Sequence, residues 1–235
     1  MNDIFKYTWR VFSNNILYII RLSFPLLLID ILWNVLSKQV NEPTTSFIFS
    51  TVAIQFLLYS TYLCALILFI SQEFLGEIQP IQTNIIKSFV YLPLVILTLS
   101  VCYSPLILLG ILLLKTNSSV IVTLPLLALG IYASLKTTFS PFLLILEGDK
   151  PISAVINSFK YTKGLLGEIF TLILVLWLPT SLIQNISNIN TSIQPLNITL
   201  NVAGGVLTVG MFVMLQIAFF KLYVNSCHKR NNISN

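Results

Sequence analysis

Two ionisable residues, Asp30 and Lys136, are the ones best placed for chemistry, because both are embedded in long apolar runs where a charge is costly. At helical rise, Asp30 lies about fourteen residues or ~21 Å into its run, and Lys136 about ten residues or ~15 Å from the end of another. A lysine side chain spans the difference, so Asp30 and Lys136 form a candidate intramembrane ion pair. The alternative is that each is satisfied separately, for which the hydroxyls of Thr137, Thr138 and Ser140 are at hand. Such a pair would be an inert staple between helices or part of a polar cavity that passes an ion or solute, with the staple preferred. Arg21 is only ~8 Å deep and snorkels to the surface.

The remaining reactive types are sparse. His228 is the single histidine, and with Cys227 beside it the donor set is too small for a metal. Cys64 and Cys102 are far apart inside apolar runs, which suits packing rather than a disulfide framework. No P-loop, HExxH or dinucleotide fingerprint occurs, and Glu147 has Lys150 nearby as a salt-bridge or cap partner rather than a second carboxylate. The expectation is a non-enzymatic protein with no cofactor and no metal.

The elements that carry these residues follow from composition. Of 235 residues, 56% are hydrophobic and 9% charged, against roughly a quarter charged in soluble domains. The apolar runs cover about residues 16–37, 48–71, 92–114, 120–146, 165–184 and 200–224, each near the ~20 residues a bilayer requires. The reading is an all-α polytopic membrane protein with about six transmembrane helices, in contact with membrane lipids and not nucleic acid. Residues 1–15 are amphipathic and lack a cleavage site, so they are expected to be retained. With both termini cytoplasmic, Lys6, Arg10, Lys87, Lys150, Lys160, Lys163, Lys221, Lys229 and Arg230 are inside, against Lys38 and Lys115 outside. That bias orients the chain.

Three short amphipathic segments separate the runs. In residues 151–163, Ile152, Val155, Ile156 and Phe159 make an apolar stripe, with Ser153, Asn157, Lys160 and Lys163 opposite. Ile81, Ile85, Ile86 and Phe89 repeat it after Pro80, and Ile4, Thr8, Val11 and Phe12 form a weaker version. Phe5-Lys6-Tyr7-Thr8 recurs as Phe159-Lys160-Tyr161-Thr162, and Pro25 aligns with Pro179 at the same offset. Gly76-Glu77-Ile78-Gln79-Pro80-Ile81 matches Gly148-Asp149-Lys150-Pro151-Ile152 with one residue deleted. The spacing predicts three parallel repeats of an interfacial helix plus two spanning helices, about residues 3–78, 79–147 and 148–226, with a tail at 227–235. Two spans per unit insert every unit alike, giving a pseudo-threefold axis along the membrane normal rather than inverted repeats.

These residues resemble the YciC-like family of uncharacterised bacterial inner-membrane proteins. The run Phe5-Lys6-Tyr7-Thr8-Trp9-Arg10-Val11-Phe12-Ser13-Asn14-Asn15 looks like that family's opening. A second signature covers residues 141–164, where Pro141 leads into Glu147, a helix centred on Ser158, and Thr162-Lys163-Gly164. The resemblance implies a multi-pass inner-membrane protein with an interfacial motif of Pro141, Glu147, Ser158, Lys163 and Gly164. It supplies no activity and no catalytic residues. An accessory role in membrane or envelope organisation is the leading expectation, and a small permease or channel is the alternative.

Overall fold

A computed structural model describes residues 1–37, 45–115, 120–187 and 194–231, and every regular element among them is an α-helix. The order is α1 (Asn2–Asn14), α2 (Ile16–Ser37), α3 (Thr45–Leu75), α4 (Ile81–Lys115), α5 (Val120–Lys136), α6 (Ser140–Leu146), α7 (Pro151–Tyr161), α8 (Leu166–Ser187) and α9 (Gln194–Asn231). Residues 38–44, with Lys38, 116–119 and 188–193, and the tail beyond residue 231 lie outside the described residues. Long apolar runs become helices because in hydrocarbon each amide must find its partner within its own segment. Four stretches are long and apolar enough to cross a membrane: Ser50–Leu75, Ile81–Ser104, Leu124–Leu146 and Val202–His228. Shorter apolar stretches, Ile16–Pro25 and Leu166–Leu176, open α2 and α8.

Local chemistry sets the breaks. Asn15 ends α1, its amide and its side-chain Nδ2 both donating to Val11 O at 3.2 and 3.0 Å. Gly76 and Gly148 follow α3 and α6 with φ of +77° and +72°, a conformation that L side chains avoid. After each glycine the chain turns back, Glu77 N donating to Gln72 O at 2.9 Å and Asp149 N to Leu143 O at 3.3 Å. Pro80 immediately precedes α4 and Pro151 is the first residue of α7, positions where a missing amide proton costs nothing.

The middle amphipathic segment departs from the expected pattern. It is not a separate interfacial helix but the first turns of α4, which runs unbroken from Ile81 to Lys115. Residues 82–92 contain neither glycine nor proline, whereas the other two segments end in Asn14-Asn15 and Lys163-Gly164. The helix continues on both sides of Pro93.

The amphipathic segments gather at one end of the bundle, where α3, α6 and α9 finish. Lys221 Nζ of α9 lies 5.1 Å from the Tyr7 ring centroid. Tyr18 at the head of α2 donates to Gln79 O just before α4, and Tyr223 of α9 reaches Glu147 after α6. Phe69, Phe139, Phe142, Ile169 and Leu172 are fully buried, and Phe142 stacks on Tyr223 with centroids 5.8 Å apart. Lipid tails are as apolar as these side chains, so dispersion packing and interhelical hydrogen bonds hold the bundle.

In α7 and at the start of α4 the broad apolar stripe faces outward and a narrow edge of small or polar residues docks, whereas α1 docks through its stripe, with Ile4, Thr8 and Val11 buried. Ile152, Ile156, Ile86 and Phe89 are exposed, while Ala154, Ser158, Thr162, Asn84 and Ser88 are buried. Apolar side chains on a helix at this end suit contact with acyl chains.

Candidate functional site

The interruption between α5 and α6 lies within the apolar stretch Leu124–Leu146. Pro141 has no amide proton, so the bond that would run from residue 141 to Thr137 O cannot form. The chain tightens instead, Ser140 N donating to Thr137 O at 3.0 Å. This leaves Lys136 O and Phe139 N without helical partners.

Ser158 of α7 serves both groups. Its hydroxyl donates to Lys136 O at 2.7 Å and accepts from Phe139 N at 3.1 Å. The Thr162 hydroxyl, bonded to Ser158 O at 2.8 Å, stands 3.3 Å from the same Lys136 carbonyl. Ser158, Thr162 and Phe139 are all fully buried. A freed carbonyl and amide in a dry interior would each cost about 1–3 kcal/mol, so the hydroxyl is what makes the break tolerable.

The motif residues divide between two places. Pro141 and Ser158 meet at the break. Gly164, with φ of +81°, makes the corner from α7 into α8. Glu147 accepts a hydrogen bond from Tyr223 Oη at 2.5 Å, so its partner comes from α9 rather than from neighbouring Lys150. Lys163 is exposed and points away from the break into a cleft described below.

Lys136 is buried at 9% exposure, and its ammonium lies 5.8 Å from the Tyr132 ring centroid, a cation–π arrangement. The Asp30 side chain lies outside the described residues, and with it the Asp30–Lys136 pairing. Of the three hydroxyls proposed for Asp30 and Lys136, two are turned onto their own helix, Thr137 Oγ1 donating to Ala133 O at 2.9 Å and Thr138 Oγ1 to Ser134 O at 3.1 Å, and that of Ser140 is buried without a hydrogen-bond partner.

A polar joint between α2, α3 and α4 escaped the sequence reading. Gln72 Nε2 donates to Asn84 Oδ1 at 2.8 Å, and Asn84 Nδ2 donates to Gln72 Oε1 at 2.9 Å and to Tyr18 Oη at 2.8 Å. Gln79 N also donates to Gln72 Oε1, at 3.2 Å. Asn84 is fully buried yet satisfied throughout. The available signal was an uncharged amide beside the apolar stripe of Ile81, Ile85 and Ile86.

At the same end of the bundle, α1, α7, α8 and α9 enclose an open cleft of about 850 Å³ lined by Asp3, Lys160, Lys163, Glu168, Asn225 and His228. Elsewhere on α1, burial, reinforced by the nearby Glu73 carboxylate, pushes the Tyr7 hydroxyl up to about 12, and that hydroxyl has no hydrogen-bond partner. Among the described residues no three His, Cys, Asp or Glu side chains group as metal ligands. No protein-family model, no curated protein and no solved structure matches the chain.

Proposed function

We propose that this chain is a multi-pass bacterial inner-membrane protein of the YciC-like kind, with a non-enzymatic accessory role in organising the membrane or envelope. Six spans, both termini cytoplasmic and three parallel repeats belong to this reading. The observation that carries the role is the use made of polar groups at depth. At the α5–α6 break Ser158 closes the backbone gap and Thr137 and Thr138 bond to their own helix, while the buried Ser140 hydroxyl has no hydrogen-bond partner. Ser158, committed in this way, holds α7 to the α5–α6 break, and the bonded hydroxyls of Thr137 and Thr138 leave little for a passing solute.

Several features support the repeats. Gly76 and Gly148, matched by sequence, share a left-handed conformation. Thr8 and Thr162, matched in the Phe-Lys-Tyr-Thr runs, are both fully buried. Each amphipathic segment docks on the second helix of the preceding unit: α4 on α3 through Asn84, α7 on the α5–α6 break through Ser158, and α1 on α9 through Tyr7. The α1–α9 contact closes a ring, as a pseudo-threefold arrangement requires.

A permease is the second reading, favoured by the burial of Lys136 at mid-depth. Purified protein reconstituted into vesicles separates the two. The accessory reading expects ion and small-solute leakage equal to that of empty vesicles. Leakage that requires the protein and disappears with Lys136→Ala would replace it with transport.

A further inference from the structure

The cleft at the end that carries the amphipathic segments is walled by charges of both signs. Lys160 and Lys163 come from α7 and its corner, Asp3 from α1 and Glu168 from the first turn of α8, with Met1 and His228 also on the lining and the Lys160 ammonium 3.4 Å from Asn157 Oδ1. Its floor is apolar, formed by Ile4 and Leu222, both buried. A purely anionic ligand would meet two carboxylates there, and a purely cationic one two lysines. A ligand carrying a phosphate and a primary amine matches both walls, the phosphate accepting from the lysines and the ammonium donating to the carboxylates.

The surroundings make that ligand a lipid. The cleft opens at the ends of apolar helices, which is headgroup depth, and about 850 Å³ is ample for a headgroup with its glycerol. From Glu168, the face of α8 continues through Thr171, Val175 and Leu178 at helical spacing, all three exposed. That strip gives an acyl chain an apolar path leading out of the polar cleft.

We infer that this cleft is a headgroup site for an aminophospholipid, a lipid with a phosphate and a primary amine. The assignment rests on the membrane reading above and adds the class of lipid. Lys160 and Lys163 hold the phosphate, and Asp3 and Glu168 hold the ammonium.

The test uses the full chain in nonionic detergent, titrated with phosphatidylethanolamine, phosphatidylcholine or phosphatidylglycerol of identical acyl chains, with retained lipid read by native mass spectrometry. Phosphatidylethanolamine should bind about tenfold more tightly than phosphatidylcholine, whose quaternary amine donates no hydrogen bond. Lys160→Ala with Lys163→Ala should weaken all three lipids. Asp3→Asn with Glu168→Gln should move the preference by about tenfold from phosphatidylethanolamine towards phosphatidylglycerol. Circular dichroism and gel filtration of each variant establish that it is folded. Equal binding of the three lipids, or a ranking that folded variants leave unchanged, overturns the assignment. Alkaline carbonate extraction of membranes separates this from the underlying reading. A chain released by carbonate is not an integral membrane protein at all, whereas a chain that stays but shows no headgroup preference defeats only the lipid site.

Discussion

Ser158 donates its hydroxyl proton to the main-chain carbonyl of Lys136 over 2.7 Å, joining an amphipathic helix to a gap in a spanning segment 22 residues earlier in the chain. The same oxygen accepts from Phe139 N, so one side chain repairs both faults that accompany Pro141. Helix breaks inside hydrocarbon persist only where neighbouring groups satisfy the freed backbone. Here α7 supplies them, which ties the position of a helix at the end of the bundle to the shape of the bundle itself.

Removing that hydroxyl tests the relationship. Ser158→Ala should lower stability by about 1–3 kcal/mol, since Phe139 N would lose its acceptor in a dry site. Thr162→Val should cost less alone. Together the two should cost more than their sum, because Thr162 is the nearest replacement donor for Lys136 O. Denaturant unfolding in micelles, followed by circular dichroism, measures all three, and strict additivity would show that Thr162 does not share the carbonyl.

The amide pair of Gln72 and Asn84 should couple in the same kind of measurement. Asn84→Ala strands Gln72 and removes the donor to Tyr18, a loss of about 2–3 kcal/mol. Once Asn84 is gone, Gln72→Ala should cost little more. A coupling energy below about 0.5 kcal/mol in the double-mutant cycle would mean that water or lipid headgroups replace the pair.

Glycine substitutions should separate turn positions from helical ones. Gly148→Ala places a side chain at φ +72° and should destabilise by about 1 kcal/mol although open space surrounds the position. Gly167 in α8 has the same open space without the left-handed backbone. Gly167→Ala should therefore be neutral or stabilise by about 0.5 kcal/mol. Melting temperatures of the two variants decide the matter by their opposite directions.

Tyr7 predicts a pH effect. Its hydroxyl stays protonated in the folded chain to about 12, whereas in the unfolded chain it ionises near 10. The folded form therefore holds the extra proton in that window, and the contribution of Tyr7 to stability is present below pH 10 and declines as pH rises towards 12. Tyr7→Phe should unfold less readily than the parent as pH climbs through this range. At neutral pH the substitution should be close to neutral, because the hydroxyl it deletes is buried without a partner. Parallel alkaline melts of the two proteins provide the comparison.

Much of the architecture is local and so could be read in the chain itself. Apolar runs dictate helices because hydrocarbon offers no other partner for an amide. Pro141 dictates a missing hydrogen bond because it lacks a proton, although Pro25, Pro93, Pro125 and Pro179 lie in helices that continue through them. Gly76 and Gly148 dictate turns because only glycine adopts their backbone cheaply. The alternation of Ile152, Val155, Ile156 and Phe159 with Asn157 and Lys160 likewise marks an amphipathic helix, since its period is a property of consecutive residues.

What the tertiary structure decided is the identity of partners. Glu147 had Lys150 three residues away, yet its hydrogen bond goes to Tyr223, 76 positions on, because α9 brings a phenol to the end of α6. Asn84 looked like one polar residue beside an apolar stripe, and packing of α2, α3 and α4 made it the centre of a closed network. The same packing placed Ser158, rather than the larger apolar residues around it, against the interruption left by Pro141. The pairing of Asp30 with Lys136 rests on expected depth, but depth is a coordinate along the membrane normal only. Whether two residues at one depth meet is set by rotation and translation of helices about that axis, and those come from side-chain packing that no periodicity encodes.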